Sequence, residues 1–225
     1  MKKGLSLILL LGAITTTSAQ QVMDLFVENG QPFRGNTHAI DENSKASGTP
    51  YVYEGFKPAK ISAVEQTVMV RYNASNDNVE VANNKTYFIL PKRPEYGQVN
   101  IGNGSYNLHL VDYLEDGKTI NGFLFQLHAG EGFKLYKKEK IKLIAGRESS
   151  NTYERSSPPK FVKSKDTYFF QKDGAKITEL PDDKKDVIAL FPDKKDALNT
   201  FFKEQKISFK KEEDLMKLAQ FLGTI

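Results

Sequence analysis

The chain has 225 residues, no cysteine and a formal net charge of +4 at pH 7. The length suffices for a self-supporting core, and the lack of cysteine excludes disulfides, thiol nucleophiles, thiolate metal sites and a lipid anchor on a processed cysteine. The charge is too small to indicate a nucleic-acid partner. The segment from Lys134 onward is more basic, with 21 basic and 15 acidic residues, and could meet anionic lipid or glycan.

The first 19 residues have the pattern of a secretory signal peptide. Lys2 and Lys3 precede an apolar run over residues 4–14, and small residues follow it as far as Ala19. An apolar helix of that length covers only about 16 Å, roughly half of the hydrocarbon core of a bilayer. We therefore expect cleavage near Ala19/Gln20, release to the periplasm or beyond the cell, and no transmembrane span.

Residues 51–143 show the alternation of apolar and polar side chains that is typical of strands. The turn containing Asp116-Gly117 suits the positive φ angles of a tight hairpin, and a second turn follows at residues 129–132. The predicted strands cover residues 68–71, 79–81, 87–90, 106–113, 120–128 and 133–143. Successive hairpins of this kind predict an antiparallel meander.

The period changes towards the C-terminus. A polar loop over residues 147–159 precedes one more hairpin across Asp173-Gly174, and two helical stripes of apolar residues then follow. The fold class we expect is α+β, mainly β. An antiparallel sheet over residues 20–178 would carry two or three helices from residues 179–225, docked on the sheet through those stripes.

Three segments carry a resemblance to a known family. They are Tyr-Val-Tyr-Glu-Gly-Phe-Lys-Pro-Ala-Lys-Ile at residues 51–61, the pair 70–74 and 79–81, and the ending 211–218. In these segments the chain resembles a family of uncharacterised secreted proteins from Gram-negative bacteria. The resemblance covers most of the mature chain and implies export and this architecture, but it carries no catalytic residues over.

Several segments look superficially like catalytic or metal-binding motifs. His38 lacks the second histidine that a zinc-protease helix requires. His109 and His128 are predicted on neighbouring strands, on mixed faces where a half-solvated histidine is common. The loop at residues 102–107 lacks the third glycine of a dinucleotide-binding loop and precedes a strand instead of a helix. We predict no metal site, no cofactor and no catalytic residue.

One predicted strand is a candidate for ligand binding. Lysines at alternate positions share a face with a tyrosine, while Leu135, Ile141 and Leu143 point to the opposite face. Such a basic face could hold an anionic envelope glycan or lipid head group, or it could simply be the solvated side of a sheet. The candidate ligand-binding residues are Lys134, Tyr136, Lys138, Lys140 and Lys142.

The sequence therefore favours an exported, non-enzymatic envelope or extracellular binding protein of unknown ligand. One alternative is a secreted hydrolase with a glycosidase-like carboxylate pair drawn from Asp112, Glu115 and Glu131. Another is a structural subunit that assembles with an envelope protein through a strand edge. If the lysine face binds ligand, Lys138→Glu with Lys140→Glu should weaken binding without altering melting.

Overall fold

The computed structural model describes residues 22–28, 30–40, 46–147 and 156–224. The predicted signal peptide and its cleavage site lie outside the described residues. No described helix is long and apolar enough to cross a membrane.

Strands dominate the described part of the chain, and its α-helices are confined to the end. The strands are β1 (Val27–Glu28), β2 (Gln31–Pro32), β3 (Thr37–Ala39), β4 (Lys57–Ile61), β5 (Val68–Asn73), β6 (Asn78–Asn83), β7 (Thr86–Ile89), β8 (Gln98–Ile101), β9 (Tyr106–Glu115), β10 (Lys118–Ala129), β11 (Phe133–Lys138), β12 (Ile141–Ile144), β13 (Lys160–Lys163), β14 (Thr167–Lys172) and β15 (Ile177–Glu179). The helices are α1 (Lys184–Leu190), α2 (Lys195–Gln205) and α3 (Glu212–Leu222).

The predicted hairpins are present, but the simple meander is wrong. The main sheet runs β10-β11-β14-β15-β9-β8-β4-β5-β6-β7-β3, and β10 also pairs with β9. That extra pairing closes β9, β10, β11, β14 and β15 into a five-stranded barrel. The closing strand β15 runs parallel to β9, with Ile177 opposite Tyr113. Closure removes strand edges that a flat meander would leave open. The periodicity of the sequence does not indicate whether a sheet closes.

The β9–β10 hairpin forms as its turn residues predict. Asp116 and Gly117 both adopt positive φ, at 49° and 75°, which matches the twist of the flanking strands. Glu115 therefore lies opposite Lys118, and the register continues to Leu108 opposite Phe125. This long hairpin supplies two of the five barrel strands.

Each barrel strand contributes one large buried side chain to a single cluster. That cluster fills the barrel interior and contains Tyr113, Leu124, Tyr136, Phe169 and Ile177. Because side chains alternate across a strand, the residues on either side of these point outward. Phe123 and Phe125 join the core formed with β4–β8, whereas Phe133 and Leu135 join the core beneath the helices.

The C-terminal helices pack on the barrel, as predicted. Leu198 and Phe202 of α2, with Leu215 and Leu218 of α3, are buried against the outer face of β11 and β14. Helix α1 begins where the sequence indicates, because the Asp183 side chain accepts a hydrogen bond from the Asp186 amide at 2.9 Å. The helices thereby form one wall of a groove whose other wall is the barrel.

Candidate functional site

The predicted lysine face is divided between two sheets. Strand β11 ends at Lys138 and β12 begins at Ile141, and β12 pairs with β13 in a separate ribbon. Tyr136 is only 3% exposed and belongs to the barrel interior. The face that alternation marked as solvated becomes the lumen once the sheet closes, so the five residues do not share one surface.

Lys138 is the best-connected member of that set. Its Nζ atom lies 2.7 Å from Glu115 Oε2 and 5.0 Å from the centre of the Tyr113 ring. Burial alone would lower the pKa of Lys138, but hydrogen bonds to Glu115 and Tyr113 raise it above its usual value. Lys134, Lys140 and Lys142 are exposed. Anion binding at these residues stays a prediction. A bound anion would contact individual lysines and not one continuous basic face.

The histidines do not come together as a metal site. His109 lies opposite Leu124 and His128 lies opposite Leu135, while His38 stacks on Tyr87 with ring centres 5.2 Å apart. Burial, followed by the positive charge of Lys134, lowers the pKa of His109. Among the described residues, no three His, Cys, Asp or Glu side chains are placed to hold a metal ion.

Two of the three carboxylates of the hydrolase alternative already have partners, and the third lies far from Glu115. Glu115 is paired with Lys138, and Asp112 accepts a hydrogen bond from Asn121 at 2.8 Å. Glu131 follows the far end of β10, a strand of 12 residues, which corresponds to roughly 35 Å of strand length. Glycosidase pairs lie about 5 to 10 Å apart, so Glu131 and Glu115 do not form one.

Two of the strand edges among the described residues are candidates for assembly. The order of the main sheet ends at β3, whose three residues are all exposed. Strand β12 belongs to a two-stranded ribbon and carries two exposed apolar side chains, Leu143 at 54% and Ile144 at 55%. Both edges are short, which limits the backbone hydrogen bonds that an added strand could form.

A groove of about 440 Å³ lies between the β14–β15 hairpin and the start of α3. Its apolar lining comes from both walls. Leu180 and Leu215 are buried at its base, and the rings of Tyr168 and Phe209 are half-buried. Sequence periodicity predicted each wall but not the groove, because residues 168, 180 and 209 come from different elements.

The groove has an acidic rim. Asp166, Glu179 and Asp182 contribute carboxylates, and Lys165 is the basic lining residue. Within the described ranges, neither Glu179 nor Asp182 forms a salt bridge, whereas Asp166 Oδ1 lies 3.3 Å from Lys163 Nζ. Burial, then the negative charges of Glu212 and Asp166, raise the pKa of the Tyr168 hydroxyl.

Ion pairs beside the groove fix the helix wall to the barrel. Lys137 Nζ lies 2.8 Å from Glu212 Oε2 at the start of α3 and 2.9 Å from Glu139 Oε1. Lys163 Nζ lies 2.9 Å from the other oxygen of Glu139. Burial would raise the pKa of Glu139, but the hydrogen bonds from the two lysines lower it. This network ties the start of α3 to β11, which pairs with strand β14 of the opposite wall.

A second polar cluster, which sequence analysis did not single out, lies on the β5–β6 hairpin, on the face opposite the core residues Val70 and Val81. The Arg71 guanidinium is surrounded by the rings of Tyr51, Phe56 and Tyr87, at 4.1, 4.4 and 5.1 Å from their centres. It is ion-paired with Glu80 directly across the β5–β6 hairpin. The predicted hairpin offered a signal, because its turn places Arg71 and Glu80 opposite each other.

The fold and this groove define a mainly β protein with a five-stranded barrel, three helices and a cleft of small-ligand size. Comparison with protein-family models, curated proteins and solved structures gave no match to the chain. The resemblance to a secreted Gram-negative family therefore stays a prediction.

Proposed function

We propose that this protein is an exported, non-enzymatic binding protein of the envelope or extracellular space, and that its ligand occupies the groove between barrel and helices. The main support for this proposal is the size of the groove and the side chains that line it. Its volume of about 440 Å³ lies within the range of small-molecule sites. Buried Leu180 and Leu215 provide the apolar base, and carboxylates provide the polar groups.

The contacts that hold both walls in place support a binding role. The barrel wall is closed by backbone pairing on every strand, and the helix wall is held by Lys137 through Glu212. A preformed cleft loses little conformational entropy when a ligand enters, which favours affinity. The pairing of Glu115 with Lys138 and the distance of Glu131 from Glu115 support binding over hydrolysis by these two residues.

Native mass spectrometry of the protein purified from its own host tests this function. We expect a fraction of molecules to carry an added ligand mass. Asp182→Trp places a large ring at the exposed rim of the groove and should abolish that mass. Glu204→Trp makes the same change on the exposed face of α2 and should retain it. No added mass on the wild type, or an equal mass on both variants, would refute the groove as the ligand site.

Export has a separate test. The sequence of residues 1–19 supports cleavage near Ala19/Gln20, so intact-mass analysis of envelope and medium fractions should find a chain that begins at Gln20. Recovery of the protein only from the cytosol, still beginning at Met1, would refute export while leaving the groove open to the first experiment.

A further inference from the structure

We infer that the ligand of the groove is an organic cation, an ammonium or guanidinium group carried on an apolar or aromatic body. This inference rests on the proposed function and adds the charge of the ligand. The groove lining is complementary to such a group in charge, in aromatic character and in size.

The charge of the lining comes first. Three carboxylates, Asp166, Glu179 and Asp182, line the groove with one ammonium group, that of Lys165. The formal charge of the lining is −2, and it is −1 once Lys163, which is paired with Asp166, is included. Glu179 and Asp182 make no salt bridge with any described residue and are free to pair with a ligand. An anionic ligand would have to approach both of them, at an electrostatic cost.

The aromatic lining points to the same class. Aromatic faces attract cations through the ring quadrupole, by about 0.5 to 2 kcal/mol. Tyr168 and Phe209 present such rings beside the carboxylates. The raised pKa of the Tyr168 hydroxyl has Glu212 and Asp166 among its causes, which is consistent with a negative potential at this wall.

The size of the groove limits the ligand. Leu180 and Leu215 form an apolar base that suits a hydrocarbon or aromatic body, and about 440 Å³ accommodates a molecule larger than a bare ammonium ion. A simple metal cation is disfavoured, because hard cations require several converging oxygens and the described residues offer no such group.

Three probes with one body and different charges test the inference. Phenethylamine is a cation at neutral pH, 2-phenylethanol is neutral and 3-phenylpropionate is an anion. In NMR titrations of the mature protein at low salt, we expect phenethylamine to bind about five- to tenfold more tightly than 2-phenylethanol, and 3-phenylpropionate to bind most weakly. The shifts should map to residues around Tyr168 and Phe209.

A pair of matched variants localises the effect. Glu179→Gln with Asp182→Asn removes two rim charges and should abolish the preference for the cation. Glu131→Gln with Asp173→Asn removes two charges at hairpin turns at the opposite end of β14 and should preserve it. Melting curves confirm that both variants fold.

The outcomes separate the two proposals. If all three probes bind in the groove with equal affinity, or if the anion binds best, the cation inference is wrong while the groove remains a binding site. If the probes shift only residues elsewhere, or no residues up to millimolar concentrations, both the cation inference and the groove are refuted. Loss of the preference in the control variant as well would refute the role of Glu179 and Asp182.

Discussion

Arg71 Nε donates a hydrogen bond to Glu80 Oε2 at 2.6 Å, and the two side chains are only 10% and 4% exposed. Asn73 Nδ2 donates to the other oxygen of Glu80 at 3.1 Å. The two charges are thus buried together, and both oxygens of Glu80 accept hydrogen bonds. Burial, followed by the charge of Glu80, raises the pKa of neighbouring Tyr51, which therefore stays protonated and can donate to Glu80.

Glu80→Ala should lower the free energy of unfolding by about 3 to 5 kcal/mol, because it leaves the Arg71 charge buried without its partner. The exposed pair Arg34–Asp24, with side chains 66% and 33% exposed, offers the control. Asp24→Ala should cost less than about 1 kcal/mol. Urea denaturation measures both, and comparable losses would show that burial of the Arg71–Glu80 pair contributes nothing special.

Asp77 connects the two halves of the fold. Its Oδ1 atom accepts hydrogen bonds from the Tyr72 hydroxyl at 2.9 Å and from the Phe123 amide of β10 at 3.1 Å. Asp77→Ala should cost about 2 to 4 kcal/mol, since a partly buried amide and hydroxyl lose a charged acceptor. Asp112→Ala removes an exposed bond to Asn121 and should cost less than about 1 kcal/mol. The comparison is again by chemical denaturation.

The close approach at Gly122 gives an independent test of the same junction. A Cβ atom added there would lie 2.6 Å from Asp77 Oδ2 and 3.3 Å from the Tyr113 ring. Gly122→Ala should therefore displace the Asp77 carboxylate and lower the melting temperature. Combined with Asp77→Ala, the penalty of Gly122→Ala should shrink, because the main obstacle is gone. Strictly additive losses would refute this coupling.

The pKa of Glu139 predicts how stability responds to acid. A lowered pKa means that the folded state favours the carboxylate more than the unfolded state does. This contribution is present above the unfolded pKa, near 4.5, and is lost as the pH falls through the folded pKa. Glu139→Gln should therefore be most destabilising near pH 7 and least so near pH 3. A destabilisation that is the same at both pH values would contradict this assignment.

Local features of the fold were predictable from sequence, and its closure was not. Asp116-Gly117 determines a hairpin through backbone conformation, and the apolar stripe containing Leu215 and Leu218 determines a docked helix. Both signals reside within a few residues. The pairing of Ile177 with Tyr113 joins positions 64 residues apart, and no local period encodes it.

Closure of the barrel also explains why the predicted lysine face does not form one exposed surface. Alternation correctly placed Lys134, Tyr136 and Lys138 on one face of a strand. It could not predict that the sheet closes and that this face points to the interior of a barrel. The groove was beyond prediction for a similar reason. Tyr168 and Asp182 were visible as residues, yet their convergence with Phe209 depends on how α3 docks.

Lys138 and Lys140 should now respond differently to charge reversal. Lys138→Glu replaces an ion pair with two neighbouring carboxylates in a site where the Lys138 and Glu115 side chains are 13% and 21% exposed. It should cost at least about 2 kcal/mol, which corresponds to a fall of about 4 to 8 °C in Tm for a protein of this size. Lys140→Glu alters an exposed side chain and should leave Tm within about 1 °C.

The double variant Lys138→Glu with Lys140→Glu cannot then separate a loss of binding from a loss of folding. Anion binding must therefore be tested with Lys140→Glu alone, by retention on lipopolysaccharide. A Tm for Lys138→Glu equal to that of the wild type would show that the pair with Glu115 does not stabilise the fold.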